Sequence, residues 1–270
     1  MKDLKGKTVL ITGGGSGIGK LMGKLVLEKG SKLIIFDINA ENLKTTITEF
    51  SKLGKISGYQ VDVSNPEEVA KTASLVKKEQ HEVDVLINNA GIVVGKYFHE
   101  HSIPEIERTI NINAIAPMYV TREFLPQMMR RNSGHICNIA SSAGLVSNPK
   151  MSVYAASKWA LIGWSDSLRL EMKQLEKNIH ITTVNPYYIN TGMFSGVRSL
   201  VPVLKPEKVA KQVIRAIERN RIFLTMPWSM RFVRLSQGLF PVWFFDWFVG
   251  KVLGMYKTMD HFEGRKQAGR

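Results

Sequence analysis

Two kinds of segment alternate along this 270-residue chain, and the alternation leaves few folds open. Short apolar, β-branched runs come at "KTVLIT", "KLIIFD", "GYQVDV", "VDVLINN", "GHICNIA", "IHITTVNP" and finally "RIFLTMP" (221–227). Between them lie longer stretches, 18–29, 40–53, 66–80, 104–130, 152–176 and 206–219, whose apolar residues recur at steps of three and four. The runs are apolar throughout, as strands are when helices cover both faces of a parallel sheet. Strand–helix–strand units with right-handed crossovers predict an α/β fold, a single doubly wound parallel sheet of about seven strands. Helix starts are marked as well. "SNPEEV" (64–69) sets a capping Ser or Asn before Pro66 and two acids, and "KPEKVA" (205–210) reads likewise.

Hydrophobic residues make up 44% of the chain and charged residues 22%, which excludes a disordered polymer. The lone cysteine, Cys137, rules out an intramolecular disulfide framework and a cysteine metal cluster. His99 and His101 read as surface residues with no metal-ligand spacing. The opening "MKDLKGKTVLITGG" has no apolar region ending at a small-residue cleavage site, and no apolar run reaches the length of a membrane span. The expected setting is therefore reducing and cytoplasmic.

The turn "LITGGGSGIG" (10–19) joins the first strand to the first helix. Glycines 13, 17 and 19 let the backbone turn tightly and approach a ligand, and the helix N-terminus offers N–H donors to a pyrophosphate. The strict G-x-G-x-x-G register fails, because the residue three past Gly15 is Ile18; the pattern is T-G-x-x-x-G-x-G. The second strand ends at Asp37, 18 residues past Gly19. A carboxylate there accepts hydrogen bonds from ribose hydroxyls and repels a 2′-phosphate, and positions 38 and 39 hold no cation, so NAD(H) is favoured while NADP(H) stays open. The alternative role for Asp37 is a cap for the helix at "INAENL".

The chain then carries, in order, "TGGGSGIG", Asp37, "VDV" (61–63), "NNAG" (88–91), "NIN" (111–113), "NIASSAG" (138–144), "YAASK" (154–158) and "NPYYINTG" (185–192). Over about residues 5–225 this series resembles the short-chain dehydrogenase/reductase family. More loosely, "PYYINTGM" and the tail "YKTMDHFEGRK" resemble its branch of retinol and hydroxysteroid dehydrogenases. The resemblance implies a Rossmann-like oxidoreductase with Asn113, Ser141, Tyr154 and Lys158 as catalytic residues; the choice of Ser141 over Ser142 follows from its place thirteen residues before the tyrosine. It also implies that Gly13, Gly15, Ser16, Gly17, Ile18 and Gly19 cradle the cofactor, with Asp37 on its ribose and Asp62 and Val63 flanking its adenine. Asn89 supports the central strand, and Ala90 and Gly91 let the cofactor pass. Ile189 meets the carboxamide through its backbone and Thr191 through its hydroxyl, Lys158 donates to the nicotinamide ribose, and Pro186 and Tyr154 also belong to the cofactor site. The family usually has glycine where this chain has Tyr187, which either shapes the substrate site or packs under the loop.

Tyr154 and Lys158 lie four residues apart, on adjacent turns of one helix face. Alone the pair would be an ordinary surface contact. In the family it is a general acid/base. A phenol with a pKa of about 10 is a poor base near neutrality, and a neighbouring ammonium with an oxidised nicotinamide favours the phenolate. The adjacent hydroxyls of Ser141 and Ser142 point different ways, so at most one faces the substrate.

Residues 192–205 occupy the place of the family's substrate loop, where Met193, Phe194, Val197, Leu200 and Val201 would line an apolar pocket. The alternation stops at 227. Residues 1–227 read as the dinucleotide-binding catalytic domain, and 228–270 as an apolar and basic helical extension packed on it. The stretch 228–256 is dense in Trp and Phe and admits three readings: core or lid over the substrate, oligomer interface, or peripheral membrane contact with basic flanks. From Lys205 onward there are thirteen Lys/Arg against five Asp/Glu, within a net charge of +14. Nucleic-acid binding fits poorly, because the basic residues are interleaved with bulky apolar ones.

The leading expectation is an NAD(H)-dependent oxidoreductase for a secondary or lipophilic alcohol and its carbonyl, forming a homodimer or homotetramer. Its rivals are an NADPH-dependent ketone or 3-oxoacyl reductase and a catalytically silent dinucleotide-binding sensor.

Overall fold

The computed structural model describes residues 3–79, 82–252 and 254–264. Seven strands form one parallel sheet: β1 (Thr8–Thr12), β2 (Lys32–Asp37), β3 (Ile56–Gln60), β4 (Val85–Asn88), β5 (Gly134–Ile139), β6 (Ile179–Pro186) and β7 (Phe223–Met226). Their order, β3-β2-β1-β4-β5-β6-β7, reverses direction between β1 and β4. Ligands bind at such switch points, beyond the carboxyl ends of the strands. β1, β4 and β5 are buried along their whole length, which explains their unbroken apolar runs.

Of the helices α1 (Gly17–Glu28), α2 (Ala40–Phe50), α3 (Pro66–Lys78), α4 (Ile103–Ile110), α5 (Ala116–Arg131), α6 (Ser152–Gln174) and α7 (Pro206–Glu218), α1, α2 and α7 bury apolar stripes in one core beside the sheet and α3, α5 and α6 in another, while α4 buries only Thr109. Asn65 caps α3 by accepting from the N–H groups of Glu67 and Glu68, with Pro66 behind it. α2 is capped by Asn39, which accepts from Asn42 N at 2.8 Å. Asp37 therefore does not cap that helix.

Two elements differ from the periodicity. Of the run "GYQVDV" (58–63) only the first three residues lie in a strand, β3, which starts at Ile56 and ends at Gln60. Asp62 Oδ1 accepts from Ser64 N at 2.9 Å and Ser64 Oγ at 2.6 Å, and this tight turn carries 61–63 off the sheet edge toward α3. The helix expected over 104–130 is broken by a wide turn at Asn111–Ile115, where Ala116 N reaches Asn111 O, five residues back. Proline at 117 explains the break: it has no N–H for the carbonyl of Asn113, and its ring crowds that carbonyl.

Beyond β7, a 3₁₀ turn (Trp228–Phe232), α8 (Val233–Leu239), α9 (Val242–Asp246) and a wide turn (Trp247–Val252) follow. Met230, Val249, Met255 and Met259 are buried with Tyr154, Tyr187 and Tyr188. The extension thus folds against the carboxyl end of the sheet. Residues 253 and 265–270 of it lie outside the described residues.

α1 meets the glycine turn with no room for a side chain. A methyl on Gly19 would collide with the carbonyl oxygen of Gly13 and stand 2.6 Å from Asn89 Nδ2. Gly19→Ala is expected to cost roughly 1–3 kcal/mol in urea unfolding, the range for overpacking; an unchanged midpoint would show that α1 can slide away freely.

Candidate active site

A cleft opens at the carboxyl ends of the strands, and nearly every residue singled out in the sequence reaches it. Gly13, Ser16, Gly17 and Ile18 form one end with Asp37, Asp62 and Val63. Asn89, Ala90 and Gly91 lie in the middle, and Ser141, Tyr154, Lys158, Pro186, Ile189 and Thr191 at the other end. Gly15, Gly19 and Asn113 do not line it.

Gly13 adopts φ +64°, and a methyl there would stand 3.0 Å from Ala90 Cα, so the turn is closed to larger residues. Asn89 ties the turn to β4: its Nδ2 donates to Thr12 O at 3.0 Å and Gly13 O at 3.1 Å, while its N–H donates to Thr12 Oγ1. Gly15 N donates to Asp37 Oδ2 at 2.8 Å, and Asn39 N to Asp37 Oδ1 at 3.0 Å. The carboxylate is thus fixed in place by two main-chain donors, with each oxygen keeping a further lone pair for a ligand. The N-terminus of α1 faces the same space and favours an anionic group there. This arrangement fits a dinucleotide.

At the opposite end, Lys158 and Tyr154 come from adjacent turns of α6, with Lys158 Nζ 5.8 Å from the phenol ring centre. Both are buried. Lys158 Nζ donates to Ile139 O at 3.1 Å. Burial lowers its pKa to about 8, so the ammonium stays mostly protonated near neutrality. Burial pushes Tyr154 up to about 12, opposed by a hydrogen bond with Ser141. The protein's own groups therefore raise the phenol, and the expected lowering is absent from them. Desolvation outweighs an ammonium that is nearby but not hydrogen-bonded to the hydroxyl.

Of the two adjacent serines, Ser141 alone lines the cleft, and its Oγ also accepts from Ala143 N at 3.1 Å. Asn113 spends its side chain on its neighbours. Its Oδ1 accepts from Ile92 N at 2.9 Å, and its Nδ2 donates to Ile92 O at 2.9 Å and Ser157 Oγ at 3.1 Å. Behind it, Asn88 Nδ2 donates to Asn138 Oδ1 at 2.8 Å and Thr121 Oγ1 at 3.1 Å, and Asn138 Nδ2 to Ser165 Oγ at 2.8 Å. This buried polar ladder bolts β4, β5, α5 and α6 together beneath the site. Single motifs conceal it, because its members are far apart in the chain.

Tyr187 is buried, lines the cleft, and shares a 2.8 Å hydrogen bond with Ser199 Oγ, so it both shapes the site and anchors the loop. Met193 and Phe194 line the cleft, and Val197 and Val201 pack behind them. Leu200 departs from expectation and is 75% exposed. His99 is exposed as expected, whereas His101 is half-buried. Ile92, Phe36 and Arg108 also line the cleft without any motif to flag them. Only the folded chain brings them there.

Comparison with known proteins agrees with this geometry. The family model for short chain dehydrogenase matches residues 7–200. Epidermal retinol dehydrogenase 2 of Mus musculus is 34% identical over 98% of this chain and 88% of its own. Estradiol 17-beta-dehydrogenase 11 of Pongo abelii is 36% identical over 89% of this chain and 81% of its own. A short-chain dehydrogenase/reductase from Burkholderia phymatum, solved with NAD, superposes with a TM-score of 0.81 at 25% identity, covering 88% of this chain and 95% of that one. A metagenomic short-chain oxidoreductase solved with NADP gives 0.71 at 26% identity, covering 82% and 95%. The chain belongs to the short-chain dehydrogenase/reductase family and is an oxidoreductase acting on CH–OH donors.

Proposed function

We propose that this enzyme interconverts a secondary or lipophilic alcohol and its carbonyl with NAD(H), using Tyr154 as general acid/base. The observation that carries the reading is the meeting of Ser141, Tyr154 and Lys158 in one cleft with a glycine turn built for a diphosphate. Bound nicotinamide supplies the hydride acceptor or donor and, when oxidised, a positive charge near the phenol. Lys158 Nζ holds the nicotinamide ribose, Ile189 and Thr191 the carboxamide, and Asp37 the adenosine ribose.

In the oxidising direction Tyr154 Oη takes the proton of the substrate hydroxyl, and Ser141 Oγ hydrogen-bonds the substrate oxygen as charge develops on it. Burial raises the Tyr154 phenol even with the Ser141 hydrogen bond opposing it, so lowering toward neutrality is left to the charge of the oxidised nicotinamide acting together with the nearby Lys158 ammonium. Asn113 acts through its main chain. Its side chain is occupied by Ile92 and Ser157 and residue 117 offers no N–H to its carbonyl, which supports that carbonyl as the acceptor for a water relaying protons from Lys158.

An apolar substrate is supported by Met193, Phe194, Tyr187 and Ile92 around the nicotinamide end, and by relatives named for retinol and estradiol. Asp37 argues against an NADPH-dependent 3-oxoacyl reductase, and Tyr154 with Lys158 against a silent sensor. Exposed Trp159 and Leu170 on α6 support association into dimers or tetramers through that helix.

Tyr154→Phe is expected to lower kcat by at least about a hundredfold while the dissociation constant for NAD(H), read by nicotinamide fluorescence, stays within about threefold; unchanged turnover would end the assignment. NAD(H) is expected to bind at least about tenfold tighter than NADP(H), since Asp37 repels a 2′-phosphate, and the same titration showing the reverse order would refute this. Because burial raises Tyr154, the phenolate fraction grows with pH. The kcat/KM for alcohol oxidation should therefore climb from neutral into alkaline solution and that for carbonyl reduction should fall. Parallel pH profiles in both directions would assign the proton to another group.

A further inference from the structure

The extension after β7 has two faces, and only the inner one packs against residues that line the cleft. Inward, Met230, Val249, Met255 and Met259 pack with Tyr154, Tyr187 and Tyr188. Outward, large apolar side chains stand in solvent. Among the described residues, ten of the twenty-two exposed large apolar side chains fall between Trp228 and Val252, under a tenth of the chain. Trp228 is 69% exposed, Leu239 67%, Val242 75% and Trp243 72%. They cluster in two groups: Phe244 contacts the rings of Phe240, Trp243, Trp247 and Phe248 at 5.0–6.4 Å, and Trp228 contacts Phe232 at 5.8 Å. The exposed Leu200 of the substrate loop lies beside Gly254 and adds to the same region. A patch of this kind is a binding surface.

Charge selects the partner. Arg231, Arg234, Lys251 and Lys257 are all exposed in the same span. Its single acid, Asp246, accepts the hydroxyl of Tyr256. A second copy of the chain docked by two-fold symmetry would set these cations against their own mates, with one acid per chain to offset them. Tryptophan rings flanked by arginine and lysine match instead the boundary between acyl chains and anionic headgroups. No described helix is long and apolar enough to cross a membrane, and α8 and α9 have seven and five residues. Segments so short lie along the interface.

We propose that residues 228–257 dock this enzyme peripherally on an anionic lipid surface, with the aromatic side chains inserted at the acyl boundary and the four cations on headgroup phosphates. Since the inner face of the same segment packs against Tyr154 and Tyr187, docking sets the substrate end of the cleft at the lipid surface; this last consequence rests on the function proposed above, the docking does not.

The test uses the full chain and vesicles of phosphatidylcholine with phosphatidylserine, against phosphatidylcholine alone. Cosedimentation with the anionic vesicles is expected, weakened by salt, with a blue shift of tryptophan emission and quenching by brominated acyl chains. Trp243→Ser with Trp247→Ser, and separately Arg231→Glu with Arg234→Glu, should each weaken binding by about tenfold or more. Melting temperature and NAD(H) affinity should stay at the parent values, since all four positions are exposed. A parent protein that stays in the supernatant, binding that ignores both double variants, or a salt-stable dimer held by this patch with no vesicle binding would each overturn the proposal. None of these readouts depends on turnover, so they stand apart from the role of Tyr154.

Discussion

The contact on which the site depends is the close approach of α1 to the ends of β1 and β4. Gly19 lies against the Gly13 carbonyl, where a methyl group has no room, and Asn89 spans from β4 to the same carbonyl. That approach aims the positive end of α1 at the switch point of the sheet. It also fixes Gly15 where its N–H holds Asp37. One steric condition therefore sets both the anion cradle and the carboxylate that meets the ribose.

The chemical end is built by a different means. Lys158 and Tyr154 are buried polar groups, costly unless the surrounding frame is rigid and satisfied. Rigidity comes from the Asn88–Asn138–Ser165 ladder below and from the wide turn at 111–115, which aims the Asn113 side chain at Ile92 and Ser157. Burial raises the phenol from 10.0 to about 12 and lowers the ammonium from 10.5 to about 8, so the two pKa values move apart and the phenol ends above the ammonium. The site thus stores a neutral phenol beside a cation, and charge arriving with a ligand has a large effect on the proton at Tyr154 in such a medium.

The extension connects this chemistry to its surroundings. Thr258 is buried and reaches both Asn148 Nδ2 at 2.7 Å and Tyr188 Oη at 3.0 Å, which locks the tail to the wall of the cleft. Tyr188 in turn contacts Phe194 at 5.0 Å, and Phe194 contacts Tyr154 at 6.1 Å. The aromatic chain from the tail to the phenol is continuous, so the packing of the last segment bears directly on the shape offered to substrate.

The sequence by itself determined the parallel sheet, the helices around it and most of the motif residues that meet in the cleft, because strand burial, helical spacing and the glycine turn are written in local patterns. Pro117, the cause of the broken helix, stands in the sequence, but the three- and four-residue periodicity runs straight through it and gives no sign of the break. Only the tertiary structure decided that Leu200 faces outward, that Arg108 and Phe36 reach the cleft, that Asn39 and not Asp37 caps α2, and that residues 228–257 show one face to the site and another to solvent. These outcomes depend on contacts between residues distant in the chain, and a one-dimensional pattern does not record which neighbour a side chain will meet.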